Sequence, residues 1–155
     1  MSNSEPEFDP LGVCSSAADR DDCQDSNGLD GGRLGSAELF QRGRAAEKEG
    51  RFEEALQAYL LALGSSPDQH PWHYRHGCVL MKMNRCQEAE SAFRRALELA
   101  PDSPAYLTNL GVCLDRLGRR EEAVRAYRMS AHRGEGTAVA FHNLGAIYAE
   151  EGRTD

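Results

Sequence analysis

The stretch PAYLTNLGVCLDRLGRREEAVRAY, residues 104–127, contains the pair Leu110-Gly111, and this pair has counterparts at a fixed interval. The counterparts are Arg42-Gly43, His76-Gly77 and Leu144-Gly145, so that the four pairs are evenly spaced along the chain. Two more series keep the same period, one of alanines (Ala55, Ala89, Ala123) and one of aromatic residues (Tyr59, Phe93, Tyr127). Three series with one shared period predict an array of structural repeats.

Within each period the apolar residues recur at helical spacing, which predicts two helices per repeat. Gly50, Asn84 and Gly118 stand between the two helices, and Pro67 and Pro101 stand where a second helix has to end. The sequence therefore predicts an all-α protein, an α-solenoid of antiparallel helix pairs with about three and a half repeats. The predicted domain covers 36–155, with repeats at 36–69, 70–103 and 104–137 and a partial repeat at 138–155.

The glycines of the recurring pair fall inside helices, where glycine costs about 0.5–1 kcal/mol relative to alanine. Such a cost at one repeat position indicates close helix packing. We expect the alanine series to face these glycines and the aromatic series to fill the gap toward the next repeat.

Residues 1–35 differ from the rest in composition and are predicted to be a disordered acidic tail. Up to Arg33 they hold eight acidic and two basic residues, a net charge of −6 out of −7 for the chain. The nearly neutral remainder argues against a nucleic-acid or membrane surface. No apolar run reaches the roughly 20 residues of a membrane span, and no signal peptide is visible, so a cytoplasmic location is expected.

Motifs for catalysis, cofactors or metals are weak in this sequence. His70, His73 and His76 are spaced by three, but His73 and His76 occupy core positions of the repeat, so packing is favoured over zinc binding. The five cysteines include no C-x-x-C pair. We therefore predict that the chain is not an enzyme and that it holds no cofactor or metal.

The recurring residues resemble the tetratricopeptide repeat (TPR) family, whose 34-residue pattern combines Leu-Gly, Ala, an aromatic residue and Pro. The second repeat offers His76-Gly77, Leu80, Ala89, Phe93 and Pro101, and the third offers Leu110-Gly111, Leu114, Ala123 and Tyr127. The resemblance covers residues 36–155. It implies a right-handed superhelix whose first helices line a concave groove that holds an extended or helical peptide segment of a partner protein.

The resemblance also implies which residues line this groove: Phe40, Arg44, Lys48, Tyr74, Arg75, Lys82, Thr108, Asn109, Val112, Arg116, His142 and Asn143. Asn109 and Asn143 lie one repeat apart and are expected to form a ladder that pairs with a peptide backbone. Some family members clamp a chaperone carboxylate with Lys, Asn and Arg. Neither Phe40 with Arg44 nor Tyr74 with Cys78 matches that clamp, so no chaperone-tail adaptor is predicted.

Three alternatives stay open at this point. In the first, the array is the recruiting N-terminal part of a longer enzyme whose catalytic domain is absent from this chain, an interpretation that the half-formed fourth repeat favours. In the second, the open C-terminal end, at Tyr148, associates with another copy of the chain. In the third, the acidic tail occupies the groove, which carries more basic than acidic residues.

Overall fold

A computed structural model describes residues 34–133 and 137–152, and the predicted tail, apart from Leu34 and Gly35, lies outside these described residues. Seven helices and no strand occur in the described segments, so the all-α prediction is confirmed. The helices are α1 (Ser36–Lys48), α2 (Phe52–Ser65), α3 (His70–Lys82), α4 (Cys86–Leu99), α5 (Pro104–Arg116), α6 (Arg120–Ala131) and α7 (Thr137–Glu150).

Short reverse turns join the two helices of each pair. Gly50 and Gly118 both have φ of +75°, and Asn84 takes the same left-handed conformation with φ of 59°. These are the residue types that adopt positive φ most readily. The turns bring α1 onto α2, α3 onto α4 and α5 onto α6, and each pair then packs on the next along the chain. The chain is therefore an α-solenoid of helix pairs, as predicted.

The aromatic series, and not the alanine series, makes the contact that requires glycine in the first helices. A Cβ built on Gly43 would lie 2.5 Å from Cε1 of Tyr59, and one on Gly77 would lie 2.7 Å from Cε1 of Phe93. The ring thus packs on the glycine of its own repeat, which corrects the expectation that it fills the gap toward the next repeat. The alanines of the series are fully buried beside these rings.

Ring stacks connect successive first helices. Phe40 stacks on Trp72, with centroids 4.8 Å apart and planes at 13°. Tyr74 stacks in the same way on Tyr106, at 4.6 Å and 27°. Because the two pairs have the same separation in the sequence, the two contacts are repeats of one another. They join α1 to α3 and α3 to α5.

The last described helix, α7, packs on α5 and α6 through Ala140, Leu144 and Ile147, which are all buried. No described helix follows it, and Phe141 on its other side is 58% exposed. The array of described residues thus ends on a helix with one uncovered side.

Candidate functional site

The twelve predicted groove residues lie on α1, α3, α5 and α7, the first helices of the repeats, and the structure divides them by burial. Six are buried: Phe40, Tyr74, Thr108, Asn109, Val112 and Asn143. Arg44 and Arg75 are half-buried, and Lys48, Lys82, Arg116 and His142 are exposed. We call the buried apolar and uncharged residues the floor of the predicted groove. The arginine and lysine side chains are the more exposed members of the set.

The aromatic part of the floor consists of rings in contact. Phe40 touches Tyr59 as well as Trp72, and its exposed fraction is 1%. Tyr74 contacts both Phe93 and Tyr106 and is 2% exposed. Burial is the main reason that the pKa of Tyr74 lies well above its ordinary value. Its hydroxyl therefore stays protonated and can both donate and accept hydrogen bonds.

The two asparagines hold different hydrogen-bond partners despite their equivalent repeat positions. Asn109 Nδ2 donates to Tyr74 Oη and to the Ala105 carbonyl, both at 3.0 Å. Asn143 Nδ2 donates to Tyr127 Oη at 3.3 Å. Both N–H groups of Asn109 are thus engaged within the protein.

Thr108 is directed toward α6. Its hydroxyl lies 2.8 Å from that of Ser130, which itself donates to the Pro104 carbonyl at 2.9 Å. Since a hydroxyl has one hydrogen to donate, Thr108 is the donor in the first of these bonds. The pair joins α5 to α6 within one repeat, so the Thr108 hydroxyl is used in a contact inside the protein.

The charged residues above the floor interact mainly across repeats. Lys82 Nζ lies 2.7 Å from Glu47 Oε1, which links α3 to α1, and Tyr59 Oη donates to the other Glu47 oxygen at 2.8 Å. Arg116 donates to the Met81 carbonyl at 3.3 Å and so links α5 to α3. Partial burial lowers the pKa of Arg75 from its ordinary value, although an arginine remains charged at neutral pH.

Two of the three closely spaced histidines make hydrogen bonds. His73 Nε2 lies 2.8 Å from the Pro67 carbonyl, and His70 Nδ1 lies 2.9 Å from Tyr106 Oη. Among the described residues there is no group of three His, Cys, Asp or Glu side chains placed to hold a metal ion. None of the helices in the described segments combines the length and the apolar character that crossing a bilayer requires.

A shallow depression of about 310 Å³ opens beside the turn between α3 and α4. It is lined by Asn84, Arg85, Cys86, Gln87, Glu88, Arg116 and Leu117. Arg116 is the one residue that it shares with the predicted groove residues. The depression thus lies mostly outside the residues predicted to line the groove.

The sequence matches the profile of the tetratricopeptide repeat over residues 32–70 and 74–138. The chain belongs to the tetratricopeptide repeat family. Its helix pairs and its even repeat period agree with that family. A comparison with curated protein sequences finds no match.

Solved structures, among them TPR domains, have the same fold. The first TPR domain of Spaghetti (RPAP3), bound to the HSP90 peptide SRMEEVD, superposes with a TM-score of 0.71 at 19% identity, over 76% of this chain and 93% of that one. The second TPR domain of human RPAP3, with the HSP70 peptide SGPTIEEVD, gives 0.68 at 20% identity, over 72% and 93%. MamA from Desulfovibrio magneticus RS-1 gives 0.71 at 20% identity, over 76% of this chain and 66% of that one.

Sequence reasoning missed two residues of this region, Trp72 and Tyr106. Trp72 and Tyr106 supply the lower rings of the two stacks, and Glu47 is the carboxylate on which Lys82 and Tyr59 converge. The shared repeat position of Trp72 and Tyr106 was a signal for the stacks.

Proposed function

We propose that this TPR protein is an interaction scaffold that holds an extended, acidic segment of a partner protein in the groove along α1, α3, α5 and α7. The observation that carries the proposal is the set of basic side chains at the predicted groove positions. Five basic side chains occupy groove positions on three consecutive first helices: Arg44, Lys48, Arg75, Lys82 and Arg116. Carboxylates complement such a row, and arginine can bind them in a bidentate manner.

Three acidic residues near the predicted groove cancel only part of this charge. Glu47 pairs with Lys82, and Glu150 lies 2.6 Å from Arg120 of α6. Asp115 also lies within 4.0 Å of Arg120. All three acidic residues thus have basic partners within the protein. Two of them, Asp115 and Glu150, lie beside Arg120 of the second helix α6. Basic side chains thus outnumber acidic ones at the predicted groove positions, five to three.

Two of the similar solved structures hold chaperone peptides that end in Glu-Glu-Val-Asp. They support an acidic ligand as a class, because the same fold accommodates it. The chaperone clamp needs Lys and Asn where this chain has Phe40 with Arg44, or Tyr74 with Cys78. We therefore propose an acidic segment that is recognised along its length rather than a chaperone tail that is held by its terminal carboxylate.

A selection of random displayed peptides against the full chain tests the proposal. Peptides that bind should be enriched in Asp and Glu, and their affinity should fall as salt rises from about 50 mM to about 300 mM, because screening weakens contacts between exposed charges. A peptide with the terminal sequence SRMEEVD should bind no better than a scrambled peptide of equal charge. Selected peptides without an acidic excess would overturn the proposed ligand class.

Two matched double variants locate the binding surface. Lys48→Ala with Arg116→Ala removes two exposed groove charges, and we expect about tenfold weaker binding of a selected acidic peptide. Arg95→Ala with Arg125→Ala removes two exposed charges from the second helices α4 and α6 and should leave affinity within about twofold. Equal losses in both variants would show that net charge, and not the groove, drives binding.

A further inference from the structure

Three basic side chains recur at one repeat position along the groove. Lys48, Lys82 and Arg116 lie one repeat period apart, each in the last turn of its first helix, and all three are exposed. We call them the basic row. Their helices are neighbours, since ring stacks join α1 to α3 and α3 to α5. Packed helices have axes about 8–10 Å apart, so the row has steps of about that length.

Only the middle member of the basic row has a carboxylate partner among the described residues. Lys82 Nζ lies 2.7 Å from Glu47 Oε1. Lys48 and Arg116 form no ion pair with a described carboxylate, and Arg116 uses one of its N–H groups on the Met81 carbonyl. The two outer members of the row can therefore bind further carboxylates.

The acidic tail carries carboxylates at a matching interval. Asp19, Asp22 and Asp25 follow one another at every third residue. A polyproline II segment has three residues per turn and rises about 3.1 Å per residue, so it presents every third side chain on one face, in steps of about 9 Å. The step of the acidic series thus equals the step of the basic row.

We infer that Asp19, Asp22 and Asp25 of this chain pair with the basic row, so that the tail competes with the partner segment for the groove. This inference rests on the proposed function, because it takes the groove as a surface for extended acidic segments. The roughly ten residues between Asp25 and Gly35, the residue before α1, can span about 30 Å. Because α1 is only about 20 Å long, Asp25 can reach Lys48 at its far end.

Covalent attachment allows a weak contact of this kind to regulate the groove. A tethered segment acts at an effective concentration in the millimolar range, so it lowers the apparent affinity of a partner even when its own contacts are few. The contacts join exposed charges, so they weaken as salt rises. A partner segment has to displace the tail, and neutralisation of the tail should therefore tighten partner binding.

Zero-length cross-linking of the full chain with a carbodiimide, which joins a carboxylate to an amine, tests the contact without any partner. The chain has two lysines, Lys48 and Lys82, and both belong to the basic row. Mass spectrometry should find Lys48 joined to the segment 19–25, in a yield that is independent of protein concentration and falls between about 50 mM and about 300 mM salt. The Glu47–Lys82 product is the internal positive control, because these groups already form an ion pair.

Arg125→Lys is the matched control for position, because Arg125 is exposed on the second helix α6. The lysine introduced there should give at least about fivefold less product with the segment 19–25 than Lys48 does, since the tether favours only sites that the segment occupies. Equal yields at the two lysines, or no product at Lys48, would overturn the inference.

A triple variant of the full chain, Asp19→Asn with Asp22→Asn and Asp25→Asn, tests the competition. It should bind a selected acidic peptide about three- to tenfold more tightly than wild type at about 50 mM salt. An unchanged affinity would rule out competition for the groove. A chain that forms the Lys48 product but binds no acidic peptide would refute the proposed function and leave the tail contact standing. Peptide binding without that product would do the reverse.

A second triple variant controls for net charge. Glu5→Gln with Glu7→Gln and Asp9→Asn removes the same charge from the same tail, at positions without the matching interval. It should change the affinity for the acidic peptide by less than about twofold. An equal gain in both triple variants would show that the net charge of the tail, and not the spacing of its carboxylates, governs binding, and the inferred pairing would then be wrong.

Discussion

A Cβ atom on Gly111 would lie 2.6 Å from Cε1 of Tyr127, closer than carbon atoms approach without displacement. Gly111 sits in the interior of α5, where its presence costs about 0.5–1 kcal/mol relative to alanine. Tyr127 is 1% exposed, so burial of its ring offsets that cost. Glycine is therefore needed at this position because the Tyr127 ring packs on it, and not for backbone flexibility.

Replacement of Gly111 by alanine should lower the free energy of unfolding by about 1–2 kcal/mol. Overpacking against a buried ring typically costs about 1–3 kcal/mol, and the gain in helix propensity returns up to about 1 kcal/mol of it. Urea denaturation followed by circular dichroism measures the difference.

Gly145→Ala provides the contrast, because the same substitution at the equivalent position meets open space. It should raise the stability by up to about 1 kcal/mol through helix propensity alone. If both alanine variants lost the same stability, the ring contact would not be the reason for the glycine at Gly111.

The even repeat period was sufficient to predict the helix pairs, since glycine, alanine and aromatic positions recur in step. It could not predict how deeply each groove residue is buried. Phe40 and Tyr74 occupy repeat positions that are predicted to face the groove. Both are nevertheless covered, because Trp72 and Tyr106 of the next repeat stack on them. A repeat position defines the direction of a side chain, whereas its exposure depends on neighbours in other repeats.

The same limit applies to the predicted asparagine ladder. Asn109 reaches back to Tyr74 in the preceding repeat, whereas Asn143 bonds Tyr127 of the adjacent second helix. The difference arises because the third repeat has Thr108, and no tyrosine, at the position of Tyr74. Identical spacing thus produced two different local networks, and the contribution of each to peptide binding stays a prediction.

A double-mutant cycle on Tyr74 and Asn109 should show a coupling of about 0.5–1.5 kcal/mol in the free energy of unfolding. Both groups are buried, and Asn109→Ala leaves the Tyr74 hydroxyl without its 3.0 Å donor, at a cost of about 1–3 kcal/mol. Tyr74→Phe should cost less, because Asn109 Nδ2 keeps its bond to the Ala105 carbonyl. Urea denaturation of wild type, the two single variants and the double variant gives the coupling.

The hydrogen bond would have no role in stability if the two single effects simply added. Thr108→Val supplies a reference in the same helix, since it removes a different buried hydrogen bond, to Ser130, without touching Tyr74. Its effect should be the same in the Tyr74→Phe background as in wild type.

Lys82→Met should lower the free energy of unfolding by about 1–3 kcal/mol, although Lys82 itself is exposed. Its partner, Glu47, has a side chain that is only 8% exposed and would keep just the Tyr59 hydroxyl as a partner. A mostly buried carboxylate that loses its counter-charge is destabilising. Lys48→Met, at an exposed lysine of the neighbouring helix, should change stability by less than about 0.5 kcal/mol.

Glu47→Gln in the Lys82→Met background should recover most of the lost stability, because the neutral amide no longer needs a cation. Urea denaturation at neutral pH measures all three steps. If Lys82→Met were as mild as Lys48→Met, the ion pair between α1 and α3 would contribute nothing to the junction of the first two repeats.

His76 should make the stability of this protein fall as the pH drops below about 6.5. Burial is the main cause that lowers the pKa of His76 to about 4, and the nearby His73 and Arg85 lower it further. Between these pH values the unfolded chain binds a proton that the folded chain does not, so acid favours unfolding. Because His76 is only half-buried, we expect a loss of about 1 kcal/mol between pH 7 and pH 5.

His76→Leu isolates this effect, because leucine occupies the same repeat position at Leu110 and Leu144. The variant should be at least as stable as wild type at pH 7, and the advantage should widen by about 1 kcal/mol at pH 5. Urea denaturation at both pH values, followed through the fluorescence of the buried Trp72, measures the change. Other titrating groups act equally on both proteins, so parallel pH profiles for wild type and variant would mean that His76 is protonated as readily in the folded chain as in the unfolded one.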